Sequence, residues 1–246
     1  MSAAEIDAQL AARLAGEAGA LLLELQRSGT AQGKELGQIG DKIANTHLME
    51  ALRAARPNDA ILSEEESDTA ERLNHRRVWI IDPLDGTREY SEGREDWAVH
   101  VALSVGGMAS DGAVALPRLG LILGSDAPPE LKSINVPLRM VVSRTRPAAE
   151  ALAVAKILGA QLIPMGSAGA KAMAVVRGEA DIYLHTGGQY EWDNCAPVAV
   201  ALAAGLHCSR VDGSPLKYNN TDTYLPDLLI CNKEILCDVM TALSAI

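Results

Sequence analysis

The chain contains no phenylalanine, and Trp and Tyr leave it only 3% aromatic. A stacking surface for single-stranded nucleic acid is therefore not expected, and the core has to be built from Leu, Val, Ile, Ala and Met. Positive charge is also scarce. The chain has 22 Lys and Arg against 32 Asp and Glu, a net charge of −10, which argues against a nucleic-acid polymer or an anionic membrane as partner. An anionic substrate is still compatible with this balance, because bound metal ions invert the sign of a local site. Cysteines 195, 208, 231 and 237 form no Cys-x-x-Cys pair and have no His at zinc-ligand spacing, so they read as reduced, mostly buried thiols. No run approaches the ~18 apolar residues of a membrane span. The opening MSAAEIDAQLAARLAGEAGALLLELQ is interrupted by Glu5, Asp7, Arg13, Glu17 and Glu24, unlike a secretory leader. A soluble cytoplasmic protein is expected.

What is present is length and apolar content. With 246 residues and 48% hydrophobic content, the chain can form one large domain or two halves sharing an interface. Ser2 and Glu5 can form a capping box. Apolar residues at Ile6, Leu10, Leu14, Leu21 and Leu25 then predict an amphipathic helix to about Arg27. The glycines of SGTAQGKELGQ predict a loop, followed by a helix from Ile39 to about Arg56, stopped by Pro57. Extended segments are expected at Ala60–Leu62, Val78–Ile81, Trp97–Ser104 and Gly112–Leu116. The turn-rich LGSDAPPELKSINVPL is the expected boundary between halves 1–135 and 136–246. After it, strands (MVVS, QLIPMG, ADIYLH) alternate with helices. The first helix has Pro147 in its first turn, and the next two are closed by Gly178 and Gly205. The fold class expected is α/β (α+β).

The strongest local pattern is WIIDPLDGTREY, where two aspartates stand three positions apart at the end of an apolar strand. Proline fixes φ, and Gly86 permits a close backbone approach. Such a turn can aim the Asp82 and Asp85 carboxylates, the Leu84 carbonyl and the Thr87 hydroxyl at one point, the oxygen-rich set that hard divalent cations take. A solvated acidic loop is the bland alternative for a generic D-x-x-D. The spacing fits neither an EF-hand loop nor a phosphoaspartate phosphatase, and there is no P-loop.

With these residues in view, the chain resembles the inositol monophosphatase-like family of metal-dependent phosphatases, whose signature is D-P-L-D-G-T. The other pieces occur in order. Glu64 in ILSEEES matches the family's metal-binding glutamate, Asp193 in Trp192-Asp193 its last metal aspartate, and Asp41 in IGDKIAN the acid that helps orient the attacking water. Taken singly, Glu64 could belong to a solvated acidic face, Asp41 to a helix's first turn and Asp193 to an N-cap. The C-terminal half is similar to the branch that acts on 3′-phosphoadenosine 5′-phosphate, through the Gly-Ser…Lys pattern of Gly166, Ser167 and Lys171. Gly166 and Ser167 stand at an expected helix N-terminus, suited to a phosphate, and Lys171 one turn on adds charge unless it is a solvated helix residue. Ser143 and Arg144, at another strand-to-helix turn, either hold a second phosphate or cap a helix. Two departures stand out. Gly40 occupies the position where the family usually has Thr, and the stretch between Ser104 and Leu131 is short and lacks the aromatics often found there.

The resemblance implies a layered α/β/α/β/α fold, often homodimeric, and two or three Mg²⁺ ions held by Glu64, Asp82, the Leu84 carbonyl, Asp85 and Asp193. It implies hydrolysis by a water that the ions activate, that Thr87 orients and that Asp41 or Glu64 deprotonates. Asp85, Gly86, Thr87, Ser143, Gly166, Ser167, Lys171 and Asp193 would contact substrate. The expected reaction removes the 3′-phosphate of 3′-phosphoadenosine 5′-phosphate, a by-product of sulfate assimilation, with inhibition by Li⁺. An inositol-phosphate or sugar-phosphate phosphatase is the alternative, and a non-catalytic binding homologue the remaining one.

Overall fold

The computed structural model describes residues 5–246. Helix α1 (Asp7–Ser28) buries Leu10, Leu14, Ala18 and Leu22 on one face and ends at Gly29 in the left-handed region. Ser2, and with it the expected capping box, lies outside the described residues. Helix α2 (Gly33–Ala55) begins at Gly33 rather than Ile39, so most of the expected loop is helical. Gly33 starts the helix at φ 55° with open space around it, whereas Gly37 and Gly40 serve packing. A Cβ on Gly37 would stand 2.7 Å from Thr87 Cγ2 and Ser91 Oγ, and one on Gly40 would stand 3.0–3.2 Å from Leu22, Tyr90 and Leu84.

Strands β1 (Ala60–Ser63), β2 (Arg77–Asp85), β3 (Ala98–Val105), β4 (Met108–Leu116) and β5 (Leu121–Gly124) form one sheet in that order. It is parallel at β1–β2 and antiparallel beyond, and the short helix α3 (Thr87–Ser91) follows β2. A long irregular segment leads to the second sheet. That sheet is built from β6 (Arg139–Ser143), β7 (Gln161–Met165), β8 (Ile182–His185), β10 (His207–Ser209) and β12 (Leu228–Cys231), in the order β10-β12-β8-β6-β7. Strands β9 (Gln189–Tyr190) and β11 (Tyr224–Leu225) pair separately. Helices α4 (Ala149–Leu158), α5 (Ala168–Val176), α6 (Glu191–Ala203) and α7 (Leu236–Ser244) complete the chain. Pro147 precedes α4 rather than sitting in its first turn, because Ala148 is the N-cap.

Strand alternation fixes the layering. In β2, Trp79 and Ile81 pack with Leu10, Leu14, Leu48 and Leu52 of α1 and α2, whereas Val78 and Ile80 face the cluster holding Met173 of α5 and Val198 of α6. Val141 and Tyr183 of the second sheet join that same middle cluster. Met140, Val142 and Ile182 point the other way, onto Val154 of α4 and Val239 of α7. The result is α1/α2, sheet, α5/α6, sheet, α4/α7, the expected α/β/α/β/α order. It leaves the C-terminal end of β2 facing the N-termini of α5 and α6.

Candidate active site

At the end of β2 the ladder to β3 slips between Asp82 and Asp85, where Pro83 has no N–H to contribute. The extra backbone turns both carboxylates inward, with Asp82 accepting from the Leu84 N–H at 3.0 Å. Asp82 is 1% and Asp85 6% exposed, so the turn is not a solvated acidic loop. Gly86 follows at φ 88°, where a Cβ would stand 2.9 Å from Ser167 Cβ, so glycine alone lets α5 approach the turn. The Thr87 hydroxyl sits between two acceptors, Asp41 Oδ1 at 3.3 Å and the Leu84 carbonyl at 3.2 Å. Asp41 lies in the third turn of α2, not in the first.

Asp193 joins this turn from the start of α6, and ligand oxygens of Asp82, Asp85 and Asp193 lie within 4.8 Å of one another. Glu64, just past β1 with its N–H on the Ile81 carbonyl at 3.3 Å, keeps one side open to solvent and faces Asp82. Four carboxylates so placed repel as anions. Asp82 is pushed well above the ordinary carboxylate range, by burial first and then by Glu64 and Asp85. Glu64 is raised to about 7 by burial and Asp193, and Asp193 to about 6 by burial and Asp85. Asp41 is raised to about 7 by burial and then Glu65. A cluster of mutually repelling carboxylate oxygens, with Asp82 and Asp85 buried, is the donor set of a hard divalent cation, and these residues fit one.

Asp85 behaves differently. Burial alone would raise it, but His100, the Gly169 N–H and Lys171 outweigh burial and hold it below the usual range. Its two oxygens accept from Ala168 N–H at 3.1 Å and Gly169 N–H at 2.6 Å, so Asp85 itself occupies the N-terminus of α5. Gly166 N–H donates to Asp96 Oδ2 at 2.6 Å and Ser167 N–H to the Asp96 carbonyl at 3.2 Å. The donors at Gly166 and Ser167 that the sequence offers to a phosphate are thus already engaged. Lys171 is buried, and its ammonium donates to the Gly166 carbonyl and, at 2.7 Å, to the Ser167 carbonyl, beside the Tyr183 ring. Its burial rules out the solvated helix residue that the sequence left as an alternative. Burial lowers its pKa, and the nearby Asp85 and Glu89 oppose that shift.

Beside Asp85 opens a cavity of about 540 Å³, lined by Asp85, Gly86, Arg88, Glu89, Ser143, Arg144, Thr145, Arg146, Gly166 and Ser167. It brings Gly86, Ser143, Gly166 and Ser167 together as expected; Lys171 does not line it. Arg144 is tied to Glu89 at 2.9 Å and Glu92 at 2.6 Å, so its fork bridges β6 and α3. Sequence reasoning missed Arg88, Glu89, Asp96, Arg146 and His100. The first four carry no local signal. His100 had one, a lone imidazole inside the apolar run AVHVALSV. It is fully buried, with Nδ1 2.9 Å from the Trp192 carbonyl and Nε2 3.2 Å from Asp85 Oδ2. It therefore joins the aspartate turn to the start of α6. Glu191, also missed, accepts from the Asn219 and Asn220 N–H groups at 2.6 and 2.8 Å and fixes the loop beyond α6.

The sequence pattern of the inositol monophosphatase family matches residues 3–242. The 3′-phosphoadenosine 5′-phosphate phosphatase of Mycobacterium leprae is 52% identical over 244 residues, covering 93% of this chain and 90% of that protein. The 3′(2′),5′-bisphosphate nucleotidase CysQ of Escherichia coli K12 is 30% identical over 198 residues, covering 75% and 80%. Among solved structures, CysQ of Bacteroides thetaiotaomicron superposes with a TM-score of 0.78 at 24% identity, covering 93% of this chain and 98% of that one. An inositol monophosphatase from Anabaena superposes with a TM-score of 0.78 at 23% identity, covering 97% and 95%.

Proposed function

The chain belongs to the inositol monophosphatase family and is a phosphoric monoester hydrolase, and from that premise we propose that it removes the 3′-phosphate of 3′-phosphoadenosine 5′-phosphate with Mg²⁺. The observation that carries this reading is the convergence of Asp82, Asp85 and Asp193 beside a cavity flanked by Arg88 and Arg146. The 52% identity to a protein of that activity supports it. Glu64, Asp82, the Leu84 carbonyl, Asp85 and Asp193 would hold two or three Mg²⁺ ions, which when bound supply positive charge against the phosphate and leaving-group oxygens.

The chain's own residues account for the rest. Thr87, its hydroxyl shared between Asp41 and the Leu84 carbonyl, orients a water toward the phosphorus. Asp41, or Glu64, takes that water's proton. Water adds to phosphorus, the bond to the ribose 3′-oxygen breaks, and that oxygen takes up a proton from solvent while the carboxylate base returns its own to solvent. The second phosphate meets Ser143 and the guanidinium groups at the cavity wall rather than the α5 N–H groups, which Asp85 and Asp96 already fill. This reading places the enzyme in the cytoplasm, downstream of sulfate assimilation, as a homodimer. Among the described residues no helix is long and apolar enough to cross a membrane.

The test is phosphate release from 3′-phosphoadenosine 5′-phosphate, inositol 1-phosphate and fructose 1,6-bisphosphate, with Mg²⁺ and with a chelator. The nucleotide should have the highest kcat/KM, and the chelator should abolish all three activities. A preference for inositol phosphate would replace the substrate assignment. Activity that survives chelation would remove the metal.

A further inference from the structure

Three Trp and five Tyr are the only large aromatic side chains of this protein, and three of these eight stand together beside Asp193. Tyr190 stacks on Trp192 with ring centroids 4.9 Å apart and planes 11° from parallel, and it meets Tyr224 edge-on at 5.9 Å and 77°. Tyr190 and Tyr224 remain 46% and 47% exposed, whereas Trp79 and Trp97 are completely buried. A chain this poor in aromatics has left two tyrosines half in water side by side, one of them stacked on Trp192.

The cluster is built into the backbone. The β9–β11 pairing sets Tyr190 directly opposite Tyr224. Gly188, at φ 80°, has no space for a Cβ, which would fall 2.2 Å from Tyr224 Oη, so the phenol lies against bare backbone. The Tyr190 N–H donates to Asp193 Oδ2 at 2.6 Å, tying the stack to a carboxylate that converges with Asp82 and Asp85. A ligand reacting at those carboxylates therefore has an aromatic surface within one residue of them.

We propose that the Tyr190–Trp192–Tyr224 cluster is the platform on which the purine base of the substrate stacks, an inference that rests on the nucleotide reading above. A purine offers a π-face that an inositol ring lacks, and base–aromatic stacking is strong without hydrogen-bond readout. The platform thus discriminates nucleotides from polyol phosphates at a point remote from the reacting phosphorus, where binding energy sets kcat/KM.

Wild type, Tyr190→Ala and Tyr224→Leu are compared on 3′-phosphoadenosine 5′-phosphate and on ribose 3,5-bisphosphate, which has both phosphates and no base. Each variant should lose about tenfold to a hundredfold in kcat/KM on the nucleotide and less than about twofold on the baseless substrate. Trp192 is the one tryptophan that is not fully buried, so AMP, and not ribose 5-phosphate, should quench indole emission in wild type, and the variants should lose that quenching. Equal losses on both substrates, or quenching that survives in both variants, overturns the platform. A wild type that is quenched by AMP yet does not hydrolyse the nucleotide overturns the substrate assignment and leaves the platform standing. If sedimentation shows that the variants break a dimer while discrimination is unchanged, the surface belongs to a second copy of the chain and the proposal fails.

Discussion

Asp85 holds more partners than a carboxylate whose only task is to bind a cation. Its two oxygens satisfy Ala168 and Gly169 N–H groups, and His100 lies against one of them. Asp82 accepts from Leu84 N–H alone and otherwise faces Glu64, Asp85 and Asp193. The two residues should therefore separate in the metal-free protein. Asp82→Asn removes one of several like charges and should melt at or above the wild-type temperature. Asp85→Asn presents an amide NH₂ to a backbone N–H and should cost about 1–3 kcal/mol. Both should lower turnover by orders of magnitude. Thermal melts of the chelated proteins, read beside phosphate release, distinguish them, and an Asp85→Asn protein with unchanged melting would show that α5 does not depend on this cap. Lys171 follows the same logic. Its ammonium satisfies the Gly166 and Ser167 carbonyls instead of facing the cavity, so Lys171→Met should destabilise by about 1–3 kcal/mol. It should also lower kcat/KM to a similar degree for nucleotide and inositol phosphate. A loss confined to the nucleotide would put Lys171 on the second phosphate.

Helix α2 shows how an element can be hidden by its own packing. Its first turns carry Gly33 and Gly37, which read as loop residues because glycine disfavours helix. At Gly37 tertiary contact reverses that reading, since only a residue without a Cβ lets α2 lie on Thr87 and Ser91, and Gly40 does the same against Leu22 and Tyr90. Gly40→Thr, the residue usual in the family, should therefore cost about 1–3 kcal/mol through overpacking against Leu22, Tyr90 and Leu84. A denaturant melt without metal measures it, and an unchanged midpoint would mean that α1 and α3 yield readily. Elements whose signal is local periodicity were legible in the sequence: α1, the β2 strand with its aspartate turn, and the alternation of β6, α4, β7, α5, β8 and α6. Strands β10 and β12 were not, being short segments paired only through distant partners. The acids of the turn were legible because the backbone chemistry of Pro83 and Gly86 is local. His100, Asp96 and Arg146 reach the site only through the sheet and helix packing, which no spacing along the chain encodes.

Across the whole molecule, the layering brings carboxylates from four separate elements to one point, and this convergence fixes how stability depends on pH. Asp41 and Glu64 are raised to about 7, Asp193 to about 6, and Asp82 also upward, all with burial as the first cause. Their unfolded values lie near 4. In the metal-free protein the folded state thus holds more protons than the unfolded chain between about pH 4 and pH 7, so stability falls as pH rises through that window. Asp85, shifted downward, contributes in the opposite sense, but it is one group against four. The chelated enzyme should accordingly melt several degrees lower at pH 8 than at pH 6. Mg²⁺ binds the ionised carboxylates, and a ligand that binds only the folded state adds stability in proportion to the logarithm of its concentration over Kd. The stabilisation by Mg²⁺ should therefore be larger at pH 8 than at pH 6 and flatten the slope. Differential scanning calorimetry at the two pH values, with a chelator and with millimolar Mg²⁺ at matched ionic strength, measures all four points. A metal-free protein that melts higher at pH 8 would mean that these carboxylates are ionised and compensated in the fold, and a Mg²⁺ shift that is equal at both pH values would place the ion away from them.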